Sequence, residues 1–541
     1  MTIATLEAAF PKLTDEELIQ IKPFAHCETL QDGEYAFTAG AKEPDLFIVR
    51  SGLLDIINPL DNDRVVATHE TGSFAGDIDL LIRRPPSLSA RARGVTEVCR
   101  VPGDELQGVL VKIPQLSDKL LIAFQMRREI LQKEGKFGLR VIGCGRCSDT
   151  TELREFLYKN FVPFIWYDRD TKEGLDAEEK YGELPVVQKA DGKTMVRPSI
   201  RELANECGIW HHCPNQTVDL AVIGAGPAGL AAAVYAASEG LNTVVLDKMG
   251  PGGQAGGSSK IENFIGFPSG LTGMELATRG VLQMVKFGAK LIAPTEVMSL
   301  EPAKDENDYH RLVLDCGAVI SAKTVLVSTG VAWRKLVAEN VQKFERAGIY
   351  YACTNIEVML HDKEHVAVVG AGNSAGQAAM YLAECCPTRT VHIFARGKFG
   401  PSMSEYLCLR IAAAPNIVVH ENTFITKVNG AGYNIESVDI TENAEEKLMV
   451  LGAVFVFIGA DPGATWLPDA VLRDDKGFIL TGTEVAQSGK WPLKDRNPCP
   501  LETTIPRVLA AGDVRAGSTK RVGFAVGDGS LAVTCVHSMM S

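Results

Sequence analysis

The feature that most constrains the fold of this chain is a glycine-rich turn between an apolar strand and a helix of small residues, in TVDLAVIGAGPAGLAAAVYAASEGLNTVVLDK (217–248). Gly224 permits a tight turn, Gly226 lets the backbone approach a diphosphate at the helix N-terminus, and Gly229 permits close helix–strand contact. Asp247 ends the second strand, where it can accept a hydrogen bond from an adenosine ribose. The pattern predicts a dinucleotide-binding unit whose diphosphate is lined by Gly224, Gly226, Pro227, Ala228 and Gly229.

A second glycine-rich turn follows roughly 145 residues further along the chain, in HVAVVGAGNSAGQAAMYLAE and the strand VHIFAR. Two such units imply two bound nucleotides, one of them the ADP half of FAD and the other a pyridine nucleotide. The residues predicted to line the second diphosphate are Gly370, Gly372, Asn373, Ser374 and Ala375.

The end of the strand VHIFAR indicates which pyridine nucleotide binds. Arg396 ends the strand, Lys398 follows, and no carboxylate is present. An acid at this place accepts from the ribose 2′-hydroxyl of NADH, whereas cations accommodate the 2′-phosphate of NADPH. The sequence therefore favours NADPH over NADH; the alternative is that both cations are solvated surface charges.

Residues 134–213 alternate strands and helices around a CxxC motif. The segments are GLRVIG, CGRC, TTELREFLYKN, VPFIWYD, ELPVVQKADGKTMVRP and SIRELANECG, in that order. This order resembles a glutaredoxin or thioredoxin-like domain, with Pro185 where that family places a cis-proline. A helix N-terminus after the motif is expected to lower the pKa of Cys144, which would act as the nucleophile with Cys147 as the resolving thiol.

Two other interpretations of the CGRC motif stay open. The two cysteines could be inert core residues. They could also bind zinc together with the downstream residues Cys207, His211, His212 and Cys213.

Residues 1–133 consist of a short helix followed by β-branched runs that Gly, Asp and Pro separate, which predicts a β-roll closed by a helix. The stretch FAGDI followed by PPSLSA resembles the cyclic-nucleotide-binding domain family. This chain has Asp77 where the family prefers Glu, and Ser87 where an Arg grips the cyclic phosphate. Nearby arginines could substitute only through a change of register: Arg83, Arg84 and Arg91. A phosphate without its guanidinium loses its bidentate contact, so a structural or degenerate regulatory domain is favoured over a nucleotide sensor.

Residues 217–541 resemble the low-molecular-weight thioredoxin reductases, which carry two dinucleotide-binding units. The resemblance rests on the glycine turns and on GPGGQAGGSSKIENFIGFP, VLVSTG, FIGADP and VLAAGDV. It implies that the flavin is bordered by Gln254, Asn263, Gly512, Asp513, Arg521 and Ala525. Among these, Asp513 would accept from a ribityl hydroxyl, and the helix starting near Gly523–Ala525 would face the pyrimidine edge of the flavin.

One departure from that family concerns its redox disulfide. Cys353 aligns with the first cysteine of the family's CxxC, but Ile356 stands at the second. In one interpretation Cys144 and Cys147 replace the missing disulfide, with Cys353 assisting, and an external disulfide or a peroxide is reduced. In another the flavin reacts directly with oxygen, a quinone or a small organic substrate, and the thioredoxin-like domain is structural. In either case Cys353 is favoured as a buried relic over a working thiol. A third, from a different class, is a cyclic-nucleotide-regulated redox signalling protein.

These observations predict an α/β chain of two Rossmann-like units, preceded by a β-roll and a thioredoxin-like α/β domain. The expected divisions are 1–133 (β-roll), 134–213 (thioredoxin-like), 217–333 and 458–541 (FAD) and 334–457 (NAD(P)H, inserted). By resemblance the NAD(P)H unit rotates about hinges at 329–331 and 458–460, and the protein is a homodimer. The whole arrangement resembles fused reductases of microbes.

Charge and cysteine usage limit the partners and the compartment. A net charge of −12 without basic blocks argues against nucleic acid and against an acidic membrane surface. The N-terminal sequence MTIATLEAAF lacks a basic, apolar leader, so a cytoplasmic address is expected. The 13 scattered cysteines are then expected to be mostly reduced and buried.

Overall fold

Each predicted unit of the chain contains its own β-sheet. The computed structural model describes residues 7–42, 44–134, 138–145, 147–209, 215–258, 260–353, 355–361, 364–432 and 434–540, with the backbone alone at 129, 131–134, 355 and 356. In these ranges no helix combines the length and the apolar character needed to cross a membrane. The predicted zinc ligands His211, His212 and Cys213 lie outside the described residues.

The N-terminal unit is a β-roll, as predicted. Its elements are α1 (Asp15–Ile21), β1 (His26–Leu30), β2 (Tyr35–Phe37), β3 (Leu46–Asn58), β4 (Arg64–His69), β5 (Phe74–Ala75), α2 (Ile78–Leu81), β6 (Ser89–Val101), α3 (Gly103–Lys112) and α4 (Pro114–Glu134). The strands pair in the order β1-β6-β3-β4, with β2 on β6 and β5 on β3. The sequence predicted one closing helix, whereas the structure has two in succession, α3 and α4.

One cysteine pair departs from the expectation of mostly reduced thiols. Cys27 in β1 and Cys99 in β6 lie opposite each other in the antiparallel register, with their Cα atoms 4.0 Å apart, and form a disulfide. Because the two residues are separated by 72 positions in sequence, only the strand register brings them together.

The second unit is a mixed four-stranded sheet with the order β10-β9-β7-β8. Its elements are β7 (Leu139–Gly143), α5 (Ser148–Lys159), β8 (Phe164–Asp168), α6 (Lys172–Tyr181), β9 (Val186–Gln188), β10 (Thr194–Val196) and α7 (Ile200–Glu206). Strands β7 and β8 are parallel, and β9 runs antiparallel to β7. The peptide bond between Leu184 and Pro185 is cis, as the thioredoxin-like resemblance implies.

The third unit is built on a sheet with the order β13-β12-β11-β16-β15-β14, and β27 pairs with β16. Its elements are β11 (Gln216–Ile223), α8 (Pro227–Ser238), β12 (Thr243–Leu246), α9 (Gly273–Lys286), β13 (Lys290–Ile292), β14 (Val297–Glu301), β15 (His310–Leu314), β16 (Val319–Val327), α14 (Thr483–Gln487), β27 (Val508–Ala510) and α15 (Val522–Met540). Strand β27 pairs with β16 although the two are far apart in sequence. Another unit is therefore inserted between them, as predicted.

The inserted unit is a parallel sheet with the order β18-β25-β19-β20-β21, next to an antiparallel sheet β22-β23-β24. Its elements are α10 (Val341–Phe344), β18 (Ile349–Tyr350), α11 (Asn355–Leu360), β19 (Val366–Val369), α12 (Asn373–Cys385), β20 (Val391–Phe394), α13 (Glu405–Ala413), β21 (Ile417–His420), β22 (Thr423–Asn429), β23 (Ser437–Glu442), β24 (Glu445–Val450) and β25 (Ala453–Val456).

The two predicted hinges lie next to each other. Strand β17 (Val331–Trp333) pairs antiparallel with β26 (Ala460–Pro462). The inserted unit is therefore joined to the third unit by a two-stranded ribbon. Rotation about this ribbon, and the residue limits of the units, stay predictions.

Candidate nucleotide and dithiol sites

The first glycine turn leaves room for a ligand at the N-terminus of α8. Gly224 has φ +103°, and a Cβ there would lie 2.4 Å from the Ser328 carbonyl oxygen; a Cβ on Gly229 would lie 1.9 Å from the Gly224 oxygen. Gly226 differs, because a Cβ there would meet only the Cα of Gly253, at 3.9 Å. Gly226 is the N-cap residue of α8 and provides no side-chain cap. The uncapped N–H groups and the empty space fit a diphosphate.

The Asp247 carboxylate organises this turn. Its Oδ2 accepts from the Ala225 N–H at 2.8 Å, and its Oδ1 accepts from the N–H groups of Met249 and Gly250, both at 2.9 Å. A carboxylate has about four acceptor positions, so one remains for a ribose hydroxyl. Sequence reasoning predicted the ligand contact and missed the structural role.

The second glycine turn has the same construction. Gly370 has φ +139°, and a Cβ there would lie 2.3 Å from the Phe457 oxygen. Gly372 is the uncapped N-cap residue of α12, and a Cβ there would meet only the Ser402 oxygen, at 3.9 Å. The Asn373 side chain is engaged, since its Oδ1 accepts from the Ser404 N–H at 2.7 Å. Ser374 is exposed at the start of the helix, and the next predicted residue, Ala375, is buried.

The cations predicted to read the 2′-phosphate lie just after β20. Arg396 and Lys398 are both exposed, and neither forms an ion pair with another described residue. Their guanidinium and ammonium groups are available to an anion, which fits NADPH. The same exposure is equally expected of solvated surface charges.

The residues predicted around the flavin come from three segments. Gln254 and Asn263 lie in the loop before α9, Gly512 and Asp513 follow β27, and Arg521 and Ala525 flank the start of α15. The Gln254 amide donates to the Val331 carbonyl in the ribbon. Asn263 and Arg521 are exposed, and Ala525 is half-buried.

The half-buried carboxylate of Asp513 is a suitable acceptor for a hydroxyl-bearing ligand. It makes no hydrogen bond to the described residues, and burial raises its pKa while Lys520 opposes that shift. Next to it, Gly512 has φ +74° and donates its N–H to Asp528 at 3.0 Å. The donor and acceptor set therefore fits FAD in the third unit.

The CGRC motif lies between β7 and α5, as the thioredoxin-like resemblance implies. Cys147 is the N-cap residue of α5, and its N–H donates to the Cys144 carbonyl at 3.1 Å. A side-chain hydrogen bond with Cys144 and burial raise the pKa of Cys147, although Arg169 opposes the shift. Both thiols are half-buried. This arrangement keeps Cys147 protonated while Cys144 accepts, which suits the predicted roles of resolving thiol and nucleophile.

The motif is covered by the inserted unit. A Cβ on Gly145, between the two cysteines, would lie 2.9 Å from Cδ2 of Leu360 in α11 and 2.7 Å from the Trp166 ring. Helix α11 begins at Asn355, directly after the segment that contains Cys353. The structure therefore brings the CGRC loop against the element where thioredoxin reductases carry their CxxC.

Polar contacts surround this docked loop. The Thr151 hydroxyl donates to the Arg346 carbonyl at 3.2 Å, and the Arg346 side chain pairs with Glu152 at 2.7 Å. Arg154 stacks on Trp166 at 4.0 Å; burial lowers its pKa to about 10, and Glu357 in α11 opposes that shift. Sequence reasoning missed these residues because each contact joins segments distant in sequence.

Cys353 lies in the core of the inserted unit. It packs against a buried cluster that includes Tyr350 and Val358, and burial raises its pKa well above the usual value, with Glu357 and Cys385 acting in the same direction. A thiol held in its protonated form is a weak nucleophile. This environment favours the interpretation of Cys353 as a relic.

Two family models match the chain. Residues 218–529 match the model described as pyridine nucleotide-disulphide oxidoreductase, and residues 27–112 match the cyclic nucleotide-binding domain. The second match covers the β-roll whose FAGDI stretch suggested that resemblance.

Individual proteins extend the comparison. The chain is 26% identical over 471 residues to the F component of alkyl hydroperoxide reductase from Staphylococcus aureus (strain MRSA252), covering 83% of this chain and 87% of that protein. It is 33% identical over 321 residues to an NADH dehydrogenase of Bacillus subtilis (strain 168), covering 58% and 57%. The solved thioredoxin reductase of Lactococcus lactis superposes with a TM-score of 0.52 at 26% identity, over 60% of this chain and 98% of that one.

Proposed function

The chain belongs to the pyridine nucleotide-disulphide oxidoreductase family, and we propose that it is an NADPH-dependent disulfide reductase whose working dithiol is the pair Cys144 and Cys147. It is a flavoprotein oxidoreductase that uses FAD and a pyridine nucleotide. When bound, FAD takes up a hydride from the nicotinamide and makes two electrons available to a disulfide.

The observation that carries the proposal is the contact between Gly145 and Leu360. It seats a CxxC loop on the helix that follows Cys353, where the resembling reductases have their own second cysteine. Ile356 removes that cysteine from this chain, and the CGRC loop supplies two thiols within the same docked region.

The chain's own residues then perform thiol–disulfide exchange. The Cys144 thiolate attacks one sulfur of an external disulfide, which breaks the S–S bond and releases one thiol. Cys147 passes its proton to the first leaving thiolate and attacks Cys144 as a thiolate, which closes a Cys144–Cys147 disulfide and releases the second thiolate to be protonated by solvent. Two electrons that originate from NADPH restore the dithiol.

The test is steady-state NADPH consumption with 5,5′-dithiobis(2-nitrobenzoate) and, separately, with a small protein disulfide. Cys144→Ser is expected to lose turnover with both by at least about 100-fold, because the nucleophile is absent. Cys207→Ser, a half-buried cysteine in the same unit, is the matched control and should retain turnover. Full activity in Cys144→Ser would refute the proposal.

Counting thiols gives an independent measurement. Anaerobic reduction of the holoenzyme with NADPH should expose two additional thiols, and both should be absent in Cys144→Ser and Cys147→Ser. Cys353→Ser should leave the count unchanged, since its pKa disfavours the thiolate.

The docking contact has its own pair of variants. Leu360→Ala should slow reduction of the CGRC disulfide by about tenfold, the order expected when part of the apolar contact of a half-buried side chain is lost. Met359→Ala, next to it but 73% exposed, should have no effect. Equal rates in the two variants would show that Leu360 does not position the loop.

A second candidate is a flavin reductase that passes electrons directly to a quinone or another small acceptor. Ile356 in place of a cysteine and the 33% identity to a protein named NADH dehydrogenase favour it. It predicts turnover with a quinone that survives substitution of Cys144, Cys147 and Cys353 together.

A further inference from the structure

Asp77 stands where the cyclic-nucleotide-binding family has the acid that holds the ribose, and in this chain it is already paired with another residue. Arg128 of α4 pairs with Asp77 at 2.7 Å and with Asp79 at 2.7 Å. The Arg128 side chain is 2% exposed, and the two carboxylates raise its pKa despite burial. Asp77 also caps α2 by accepting from the Asp79 N–H at 3.0 Å. Both oxygens of the Asp77 carboxylate therefore already have partners within the chain.

Two arginines of the N-terminal unit reach into the thioredoxin-like unit. Arg84, which is 6% exposed, donates to the carbonyl of Asn160, and Arg128 donates to the carbonyl of Phe161 at 2.8 Å. Asn160 is the C-cap residue of α5. The C-terminal end of a helix carries partial negative charge on unpaired carbonyl oxygens. Here those carbonyls accept from the guanidinium groups of Arg84 and Arg128.

Apolar packing joins the same surfaces. Gly208, at the end of the thioredoxin-like unit, lies so close to Pro85 that a Cβ would sit 2.2 Å from the proline Cδ. Phe161, directly after α5, is 1% exposed and belongs to the apolar core of the FAD unit together with Leu220 and Met274. The end of α5 is therefore held by two neighbouring units at once.

The contact continues to the FAD turn. Asn160 is fully buried, and its amide nitrogen donates to the Met249 carbonyl at 2.8 Å. A Cβ on Gly250 would lie 2.7 Å from that nitrogen. Met249 and Gly250 donate their N–H groups to Asp247. A chain of hydrogen bonds thus runs from Arg84 through Asn160 to the residue predicted to hold the adenosine ribose.

We propose that the cassette of the N-terminal unit, residues 76–87, is an intramolecular docking surface whose occupant is the C-terminal end of the redox helix α5, and that this contact excludes a cyclic nucleotide. Arg84 and Arg128 donate to carbonyls at the end of α5, and Asp77 pairs with Arg128 instead of accepting from a ribose hydroxyl. The N-terminal unit then fixes one end of α5, while the CGRC loop at the other end lies against the inserted unit.

This assignment accounts for two departures from the nucleotide-binding pattern. Ser87 replaces the phosphate-binding arginine because no phosphate enters. Arg84, which sequence reasoning could place on a nucleotide only after a register change, is instead used for an outward contact. The proposal does not depend on the route of the electrons, and its test does not use catalytic turnover.

The test compares two adjacent arginines by hydrogen exchange of the full-length holoprotein. Arg84→Met removes a buried, charge-assisted hydrogen bond, so the amides of residues 156–162 should exchange about tenfold faster or more. Arg83→Met, in which the lost side chain is exposed, should leave them unchanged. Equal protection in both variants, or equal loss in both, would overturn the proposal.

A second variant covers the case in which Arg84→Met does not fold. Asn160→Ala keeps both arginines and both backbone carbonyls but cuts the bond to Met249, so exchange should rise at 249–250 while the cassette stays protected. Unchanged exchange at 249–250 would refute the continuation to the FAD turn.

The exclusion of nucleotide is tested on the wild-type holoprotein with cAMP and cGMP by calorimetry. No heat is expected at millimolar concentration. Saturable nucleotide binding that leaves residues 156–162 protected would show that the nucleotide does not compete with the end of α5, and would overturn the exclusion.

Discussion

The glycine turn after β11 and the cassette after β5 are both sequence patterns for binding a phosphorylated ligand, yet the chain treats them in opposite ways. At the turn, a Cβ on Gly226 would meet nothing closer than 3.9 Å, and the helix N-terminus is uncapped. At the cassette, Asp77 and Arg84 are both bound to other parts of the protein.

The sign of the charge explains the difference. A helix N-terminus offers N–H donors, so its partner must be an anion or an acceptor, and here that partner comes from outside the chain. A cluster of arginines also needs acceptors, but the C-terminal end of α5 provides them from within. A motif therefore indicates which chemistry a site can hold, while the surrounding units decide whether the site is open.

The largest effect should come from closing the open turn. Gly226→Ala places a methyl group in the diphosphate cradle and should raise the dissociation constant for FAD by about 100-fold, since charge-assisted hydrogen bonds contribute about 1.5–3 kcal/mol each. Gly108→Ala in α3 is the matched control, because its Cβ would also meet its nearest neighbour, Phe24, at 3.9 Å.

The measurement for Gly226→Ala is fluorescence titration of the apoprotein with FAD, with the melting temperature of the apoprotein as a check on folding. The control should bind FAD like the wild type. Normal flavin affinity in Gly226→Ala would mean that the diphosphate lies elsewhere.

An effect of intermediate size is expected on the stability of the N-terminal unit, which contains the filled cassette, when the pH is lowered. His69 is 4% exposed, and burial lowers its pKa to about 3, assisted by Arg127, which donates to the Gly76 carbonyl at 2.6 Å. In the unfolded chain the pKa is near 6.5. The unfolded state therefore takes up the proton first, and the free energy of unfolding should fall by about 2 kcal/mol between pH 7 and pH 5.

Pulse proteolysis in urea at the two pH values, followed in peptides from 54–69, measures this loss. His69→Leu should reduce the fall in the free energy of unfolding between pH 7 and pH 5 by about 2 kcal/mol. His26→Gln, at an exposed position in the same unit, should leave that fall unchanged. An unchanged pH dependence in His69→Leu would place the acid sensitivity in other groups.

The smallest effect concerns the second open turn. Arg396→Ala should raise the KM for NADPH by about tenfold through loss of one charge-assisted contact to the 2′-phosphate, and should leave the KM for NADH unchanged. Initial rates with the two nucleotides measure the ratio directly. A parallel change for both would identify Arg396 as a solvated surface charge.

Much of the fold was predictable because its signals are local. Each glycine turn, with its strand, helix and second strand, lies within about thirty residues, so spacing alone specified the unit. The CxxC loop is local in the same way, whereas the cis bond before Pro185 was expected from the thioredoxin-like resemblance. The predicted flavin residues are a different case, because they rest on resemblance and on fit and stay predictions.

The contacts that join the units could not be predicted in this way. Nothing near Gly145 indicates that Leu360 will cover it, and nothing near Asn160 indicates that Arg84 will reach its carbonyl. Cys27 and Cys99 lie opposite each other because of a strand register that the whole β-roll sets. These contacts depend on how separate units pack, which no periodicity within one segment encodes.

The sequence by itself determined that the chain carries two dinucleotide cradles and a CxxC at a helix N-terminus, because short-range backbone geometry demands particular residues at fixed spacings. It also showed a cassette that resembles the cyclic-nucleotide-binding family. Only the tertiary structure decided which of these sites stay open. Burial joins groups from distant segments, and a helix end or side chain of the same chain fills a site where it supplies the hydrogen-bond partners.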